Sequence, residues 1–487
     1  MKTMTAFLEI PVRRMPPLAK RMALLAVFGL TACAQIPELG DLPDAKPIHS
    51  YQSASTLSGS VISWPSEHWW ESFGDAQLSQ LIDEALRESP SMAVAQSRLA
   101  LATSLAQQAG AALRPSVTAD ASVSKAKQSY NNGVPEAFVP QGWNSVGSAG
   151  FNLRYELDFW GKNRAALAAA TSNAEAVLAD QAQARLVLST SIAAAYADLA
   201  RLNEERDTAE KALQVRSQTE KLFAERQRNG LETSGSLKQV QARRAGAEAE
   251  LLALDEAIAL QKNQLAYLTA IGPDRALTIA RPTLDLTRAK GLPADLHANL
   301  LGRRPDVTAA RLRAEAAAKR IDQARADFYP NVNLAAFIGV QSLGLNLLTK
   351  SGSQTGSIGP AISLPIFDTG RLQGQYKGAR AEYEEAVASY NGAVNQALRD
   401  VADVAISQKA ISAQLAKVQE ALEAATEAYR VVQNRYQGGL ATYLEVLSAE
   451  DALLANVRSL TQQRSRLLAL DVQLVRALGG GYQAIHG

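Results

Sequence analysis

FNLRYELDFWGKNRAAL, Phe151 to Leu167, changes its apolar period partway along. Up to Asp158 the residues alternate, with Ala149, Phe151, Leu153, Tyr155 and Leu157 on one side and Asn152, Arg154, Glu156 and Asp158 on the other. That is a strand with one apolar face. After Gly161 the alternation gives way to an Ala-, Leu-, Gln- and Glu-rich stretch that meets no proline or glycine until Gly230. That is a helix. Lys162 to Arg228 is 67 residues, about 100 Å at ~1.5 Å per residue, longer than an ordinary globular core.

The same plan occurs twice. Pro90 and Pro305 lie 215 positions apart, as do Pro115 and Pro330, while Gly161 and Gly370, and Gly230 and Gly439, lie 209 apart. One six-residue length difference between Pro115 and Gly161 reconciles all four pairs. Each repeat reads helix, proline, strand, loop, strand, long helix, glycine turn, helix, with the prolines where a helix must give way to extended chain. The strands are expected at about 116–126, 147–158, 331–341 and 357–366, the last weakened by Pro360 and Pro365.

Four strands of about ten residues, each with one apolar face, have the length and pattern of a transmembrane β-barrel wall. Four cannot close a barrel, and an open edge in lipid leaves amides unpaired at several kcal/mol each. Three copies would supply twelve strands. A soluble sandwich shares the alternation but gives no reason for each strand pair to launch such long helices. Those helices carry coiled-coil spacing at Leu188, Ile192, Tyr196 and Leu199, and at Val387, Tyr390, Val394, Leu398, Val401 and Ala405. The fold expected is therefore an α+β membrane protein of two tandem structural repeats. Four transmembrane strands per chain complete a trimeric 12-stranded barrel, continued by a long coiled-coil α-helical barrel.

The N-terminus reads as an export signal. Lys2, Arg13, Arg14, Lys20 and Arg21 precede a short apolar run, Met22 to Leu30, too short to span a bilayer. The run ends in LTAC, where Cys33 is the chain's single cysteine. Small residues at Thr31 and Ala32 suit cleavage before a cysteine that then carries lipid. Met1, Met4 and Met15 are alternative starts that leave the mature chain unchanged.

The composition of the whole 487-residue chain narrows the function. Fifty Lys and Arg against 48 Asp and Glu leave a net charge of +2 and no basic footprint for nucleic acid. Beyond the leader no run reaches 18 apolar residues, so no transmembrane helix is expected. GLNLLTKS, Gly344 to Ser351, approaches a phosphate-binding loop, but Thr349 stands where a glycine is needed and no helix follows. His49, His68, His297 and His486 are scattered, so neither enzyme nor metal nor cofactor is expected.

The lipobox, WWESFGD at Trp69 to Asp75, YELDFWGKNRAAL, RRPDVTAARLRAE at Arg303 to Glu315, LPIFDTGRL and RYQGGLATYLEVLSAE at Arg435 to Glu450 resemble the outer-membrane efflux factors of the TolC and OprM type. The match runs through essentially the whole mature chain. The resemblance implies a homotrimer in the outer membrane, extending into the periplasm with a belt of smaller elements round its middle. It would serve as exit duct for small amphiphiles such as drugs. It also implies docking to a periplasmic membrane-fusion adaptor and an inner-membrane transporter of RND or MFS type. The outer-membrane conduit of a type I protein secretion system would use the same tube. Ala34, rather than aspartate, after Cys33 favours the outer membrane.

On this reading the segments are a signal peptide, 1–32; a lipidated extended segment of the belt, 33–74; the first repeat, 75–272, with its tip at 230; an equatorial linker, 273–302; the second repeat, 303–478, with its tip at 439; and a tail, 479–487. Arg154, Glu156 and Asp158 are expected to line or border the lumen. Phe138, Trp143 and Tyr155 suit an interfacial girdle, Trp160 suits the strand-to-helix junction or core, and Trp64, Trp69 and Trp70 suit packing of the N-terminal segment. Gly230, Leu231, Thr233, Gly439, Leu440 and Thr442 form two helical turns, each exposing a leucine, where the resemblance implies adaptor docking. For a periplasmic gate the candidates are Glu445, Tyr436 and Asp451. Glu445 equally completes a capping box with Thr442, and Ser448 departs from the aspartate many relatives carry.

Metabolic labelling with a fatty-acid analogue should mark the protein, and Cys33→Ser should remove the mark while some transport survives on the barrel alone. A labelled serine variant would refute lipidation at Cys33.

Overall fold

The computed structural model describes residues 35–47, 50–51, 61–131, 133–284, 292–293 and 296–484. Cys33, with the leader before it, lies outside the described residues. In chain order the elements are β1 (Val61–Ile62), a 3-10 turn (Trp69–Phe73), α1 (Ala76–Glu88), α2 (Pro90–Ala111), β2 (Ser116–Ala126), β3 (Asn144–Glu156), α3 (Lys162–Arg228) and α4 (Ser234–Thr269). A 3-10 turn (Pro273–Thr278) leads to β4 (Leu292–Pro293), α5 (Leu296–Arg303), α6 (Pro305–Ala326), β5 (Asn331–Leu343), β6 (Gln354–Ser363), α7 (Thr369–Gln437) and α8 (Tyr443–Ala477). The duplication is visible residue for residue. Helices α2 and α6 both hold 22 residues and start 215 positions apart, and α3 and α7 hold 67 and 69. No helix among the described residues is long and apolar enough to cross a membrane.

The chain divides into two compact units, and several helices pass from one to the other. The first takes the chain up to Pro43 together with Ser104–Ser172 and Ala314–Glu385; the second takes Asp44–Thr103, Asn173–Arg313 and Ala386–Gly487.

The first unit is built on one antiparallel sheet of order β2-β3-β5-β6. Strict alternation fixes its register, because a one-residue slip would turn every side chain over. Val117 lies opposite Leu153, Ala119 opposite Phe151, Phe151 opposite Ile338, and Ala336 opposite Ile358. One face is thus apolar over most of its length and exposed, with Ile338 at 70 % and Ile358 at 79 %; Lys125, Ser145, Ser342 and Gln354 join it at the turn end. The other carries Asp120, Ser122, Ser148, Asn152, Arg154 and Glu156 in phase. There Asn152 donates to Asp120 at 2.6 Å and the Ser122 and Ser148 hydroxyls meet at 2.8 Å. All four strands join helices at the same end. Pro360 sits inside β6, opposite Leu334. It is tolerated because β6 is an edge strand, where a missing N–H interrupts no ladder within the chain. Strand β6 ends at Ser363, short of the 366 expected, just ahead of Pro365.

In the second unit the helix seams meet their partners. Ile192, Tyr196 and Leu199 of α3 are wholly buried against Trp69, Trp70 and Phe73 and against Leu78, Leu81, Ile82 and Ala85 of α1. Those α1 positions follow the i, i+3, i+4, i+7 pattern of an amphipathic helix. Tyr390, Val394, Leu398 and Val401 of α7 pack with Leu296 and Leu300 of α5, Val307 of α6 and Leu474 of α8. Asp75 caps α1 through the Gln77 and Leu78 amides and also accepts from the Tyr196 hydroxyl at 2.8 Å and the Thr283 amide at 2.7 Å. Burial alone would raise this carboxyl. The bonds from Thr283, Tyr196 and Leu78 favour its ionised form and hold it below the usual carboxylate range. Its contribution to stability is therefore present above the usual aspartate pKa and is lost only as pH falls through the lowered value.

After α8 the chain turns through Gly479, Gly480 and Gly481, all with positive φ. A Cβ on Gly479 would stand 1.9 Å from the Arg303 carbonyl oxygen, and one on Gly481 2.3 Å from Ser66 backbone. Gly439 also has positive φ, but a Cβ there meets nothing within 4 Å. Gly439→Ala should therefore cost only about 1–2 kcal/mol of backbone strain and still give folded protein. Gly479→Ala should prevent accumulation of folded protein, as yield and thermal midpoint in detergent will show.

Candidate functional site

Two helical hairpins in the second unit end in turns of one design. Helix α3 closes on Gly230, whose N–H donates to the Gln227 carbonyl at 3.1 Å while the Leu231 N–H reaches back to Arg226 at 2.8 Å. Helix α7 closes identically, Gly439 to Tyr436 at 3.1 Å and Leu440 to Arg435 at 2.7 Å. This paired 5→2 and 6→1 arrangement requires a residue in the left-handed region, which glycine supplies. The next helix starts on a threonine cap: Thr233 accepts from the Ser236 amide at 3.1 Å and Thr442 from the Glu445 amide at 3.4 Å. In such turns the residue after the glycine commonly packs back on its helix. Here Leu231 and Leu440 are instead 63 % and 72 % exposed, and Leu444 is exposed beside them.

Behind the turns a small core joins the hairpins. Phe223 stacks on Tyr436 at 5.7 Å between centroids, and Tyr443 packs on Phe223 at 4.4 Å. Tyr436 is buried, its hydroxyl donates to Glu232 at 2.7 Å, and the Arg226 guanidinium lies 4.9 Å over its ring. Burial, and then the neighbouring Glu232 carboxylate, push the phenol well above its ordinary value.

Further along the same helices lies a buried ionic cluster. Glu450 of α8 is 1 % exposed. Arg216 of α3 reaches it at 3.4 Å and the Thr219 hydroxyl at 3.5 Å. Arg216 also approaches Asp451 at 3.7 Å, and Arg243 of α4 holds Asp451 at 2.9 Å. A second rung, Arg458 to Glu250 at 2.7 Å, joins α8 to α4. Burial raises the Glu450 carboxyl despite the opposing pull of Arg216, and burial beside Glu450 pushes Tyr429 up to about 12.

Of the residues singled out from sequence, Tyr436 and Asp451 fall in this cross-hairpin core and its ionic rung. Glu445 is exposed on the first turn of α8, its amide capped by Thr442. Glu450, Arg216, Arg243 and Glu232 were not singled out. Glu450 had a legible sign, since Val446, Leu447, Glu450 and Leu454 form one buried stripe interrupted by a carboxylate. Its arginine partner, 234 positions away, had none.

In the first unit Arg154 and Glu156 share the polar face of the sheet. Asp158, expected with them to line or border the lumen, sits at the strand-to-helix junction. It lies past the end of β3, and its carboxylate accepts from the Asn163 amide at 3.1 Å and the Arg164 amide at 2.9 Å, tying off the start of α3. Trp160 stacks on Tyr329 at 4.6 Å and donates to the Pro330 carbonyl, while Phe138 and Trp143 are exposed. Two positions after Cys33, the Gln35 carbonyl accepts from Gln373 at 3.2 Å. Ile36 packs on Phe328, Leu372 and Tyr376, and Arg380 grips the Gly40 and Asp41 carbonyls. The segment from Gln35 to Asp41 is thus laid along α7 from near that helix's start.

A sheet with one exposed apolar face, four strands feeding helices at one end, and paired hairpins define a channel-forming envelope protein. Residues 81–270 and 296–480 match the family model described as outer membrane efflux protein, and the chain belongs to that family of outer-membrane channels. It is 31 % identical over 434 residues to multidrug resistance outer membrane protein MdtP of Escherichia coli K12, covering 86 % of this chain and 88 % of the relative. It is 33 % identical over 379 residues to fusaric acid resistance protein FusA of Burkholderia cepacia, covering 74 % and 69 %. The crystal structure of the outer membrane protein VceC of Vibrio cholerae superimposes with a TM-score of 0.83 at 50 % identity, covering 86 % of this chain and all of that one.

The cluster makes a separable test. Arg216→Ala leaves Glu450 buried beside too little positive charge and should cost about 3–5 kcal/mol at neutral pH; adding Glu450→Gln should recover most of it. Glu450 has a raised pKa, so its ionisation weakens the fold as pH climbs from the ordinary glutamate value through the raised one. Glu450→Gln alone should therefore be at least as stable as wild type at pH 8 and gain nothing at pH 4. Thermal melts in detergent that show no rescue in the double variant would exclude this account.

Proposed function

We propose that three copies of this chain pair β6 of each with β2 of the next, closing a twelve-stranded barrel in the outer membrane continued by a helical tunnel into the periplasm. The duct is passive. A periplasmic adaptor docks on the hairpin turns, an inner-membrane transporter of RND or MFS type supplies the energy, and small amphiphilic compounds leave through the lumen. The observation that carries this reading is the sheet itself: one exposed face that is apolar along most of its length, with polar residues on it only toward the turn end, and two open edges of ten and eleven residues. Backbone groups along such edges need partners in lipid, and only closure by other copies supplies them.

Spacing supports it too. Tyr155 is on the apolar side of β3, and Trp143, the residue just before that strand, lies twelve positions away. At ~3.4 Å per residue and a tilt of about 45° they stand roughly 30 Å apart along the normal, the thickness of a hydrocarbon core with an aromatic at each interface. The barrel lumen is then the face of Asp120, Asn152, Arg154 and Glu156. The names of MdtP and FusA, which refer to multidrug and fusaric acid resistance, support efflux of small compounds. Among the gate candidates, Tyr436 and Asp451, together with Glu450, tie one hairpin to the other, which supports a gate that opens by parting them. Glu445 remains a candidate through its exposed carboxylate.

The adaptor surface is Gly230, Leu231, Thr233, Gly439, Leu440 and Thr442. The glycines have open space above them, so a partner's backbone can come close. Leu231→Asp with Leu440→Asp should leave trimer yield and bilayer conductance intact while abolishing efflux and adaptor cross-linking. If the double variant still cross-links and still protects cells, the docking surface is not at these turns.

A further inference from the structure

The two ends of the sheet differ in charge. At the helix end three cations are held by carboxylates: Lys162 by Asp327 at 2.8 Å, Arg164 by Asp158 at 3.2 Å, and Arg371 by Asp368. At the turn end, residues 123–146 and 342–355 hold Lys125, Lys127 and Lys350 against one carboxylate, Glu136. Among the described residues none of these three lysines has a carboxylate within ion-pair distance, and Lys127 stands 5.5 Å from the centroid of the Tyr130 ring.

Exposed apolar groups occupy the same end of the sheet, and one face of it in particular. Gly147 is in phase with Ala149, Phe151 and Leu153, so the space where its side chain would stand lies on the apolar side. Leu345 comes to 2.9 Å and Leu348 to 3.5 Å of that point. The Leu345–Leu347 turn is therefore folded onto the apolar face and not over the polar one. Lys125 lies opposite Ser145 in register, in the row of Val117 and Val123, and shares that face. Trp143, two positions before Ser145, and Phe138, in the same β2–β3 connection, are 71 % and 80 % exposed.

Resting on the barrel reading, we propose that the turn end of the apolar face binds a phosphorylated glycolipid of the leaflet it meets. The lysines grip its phosphates, and Leu345, Leu348, Trp143 and Phe138 lie along its acyl chains. Charge argues for the phosphates, since unpaired lysines beside exposed aromatic and leucine side chains match an anionic headgroup above hydrocarbon. Spacing argues for more than one phosphate. Lys125 is on β2 and Lys350 on the loop between β5 and β6, two to three strand spacings away, or about 10–15 Å. A diacyl lipid with one phosphate cannot reach both. A sugar headgroup phosphorylated at two ends, carrying several chains, spans the gap.

Purified trimer in phosphatidylcholine nanodiscs should bind hexa-acylated, diphosphorylated lipid A as read by native mass spectrometry. Lys125→Gln, Lys127→Gln and Lys350→Gln together should weaken binding about a hundredfold, at roughly fivefold per lysine. Monophosphoryl lipid A should bind between these limits, and Leu345→Ser with Leu348→Ser should shorten the lipid's residence with the lysines intact. Undiminished binding by the triple lysine variant, or equal binding of phosphatidylglycerol, overturns the proposal. Conductance in pure phosphatidylcholine separates the two readings. A conducting trimer that ignores lipid A refutes this site alone, whereas protein that neither inserts nor conducts removes the barrel and the site with it.

Discussion

Open strand edges are the constraint on which the first unit depends. Each backbone N–H or C=O left unpaired in hydrocarbon costs several kcal/mol, and β2 and β6 each present a row of them. Such edges are tolerated in water when they are short, bulged or charged. These are long and regular, and β6 carries Ser, Thr, Gly and Ile with no charge at all. The sheet thus has the form of a fragment of something larger, and the proposed trimer closes both edges while turning the apolar face outward all round. The same constraint explains why every strand joins its helix within about five residues. Asp158 makes that junction abrupt: a side chain caps the first amides of α3 as soon as the strand's hydrogen bonds end.

Much of this architecture is legible in the chain because it is periodic. Alternation in β2, β3 and β5, the glycine turns, and the 215- and 209-residue offsets are local patterns, and local patterns survive without coordinates. What is not legible depends on partners far apart in sequence. Asp158 continues the alternation of β3 on paper, and only the fold shows its carboxylate turned to the amides of Asn163 and Arg164. Pro360 argued against a full strand, yet an edge position makes it harmless. The three glycines after α8 look like a loose tail, whereas Gly479 and Gly481 are pressed against Arg303 and Ser66 backbone. Glu450 lay in plain view as a charge within an apolar stripe, but its meaning required Arg216.

The duplicated hairpins raise a different problem. Two repeats with the same turns, caps and helix lengths could pair with copies of themselves as readily as with each other, and identical apolar seams do nothing to prevent it. At the 209-residue offset, Gly230, Leu231 and Thr233 fall on Gly439, Leu440 and Thr442. The ionic residues fall on nothing of the kind. Glu450 corresponds to Gln241, Asp451 to Ala242, Arg243 to Ala452, Arg216 to Ala425, Glu232 to Ala441, Arg458 to Ala249 and Glu250 to Ser459.

Each of the ion pairs Arg216–Glu450, Arg243–Asp451 and Arg458–Glu250 therefore has its cation in one repeat and its anion in the other, with an uncharged residue at both mirrored positions. A hairpin set against its own kind would leave Glu450 buried without Arg216, a penalty of several kcal/mol, so the arrangement opposes the wrong pairing as well as supporting the right one. Burial of one carboxylate is a poor way to gain stability, and the raised Glu450 carboxyl shows that it gains little. What it supplies is discrimination between two nearly equivalent neighbours. The exposed leucines at the turns need no such discrimination and are duplicated; the charges behind them need it and are not.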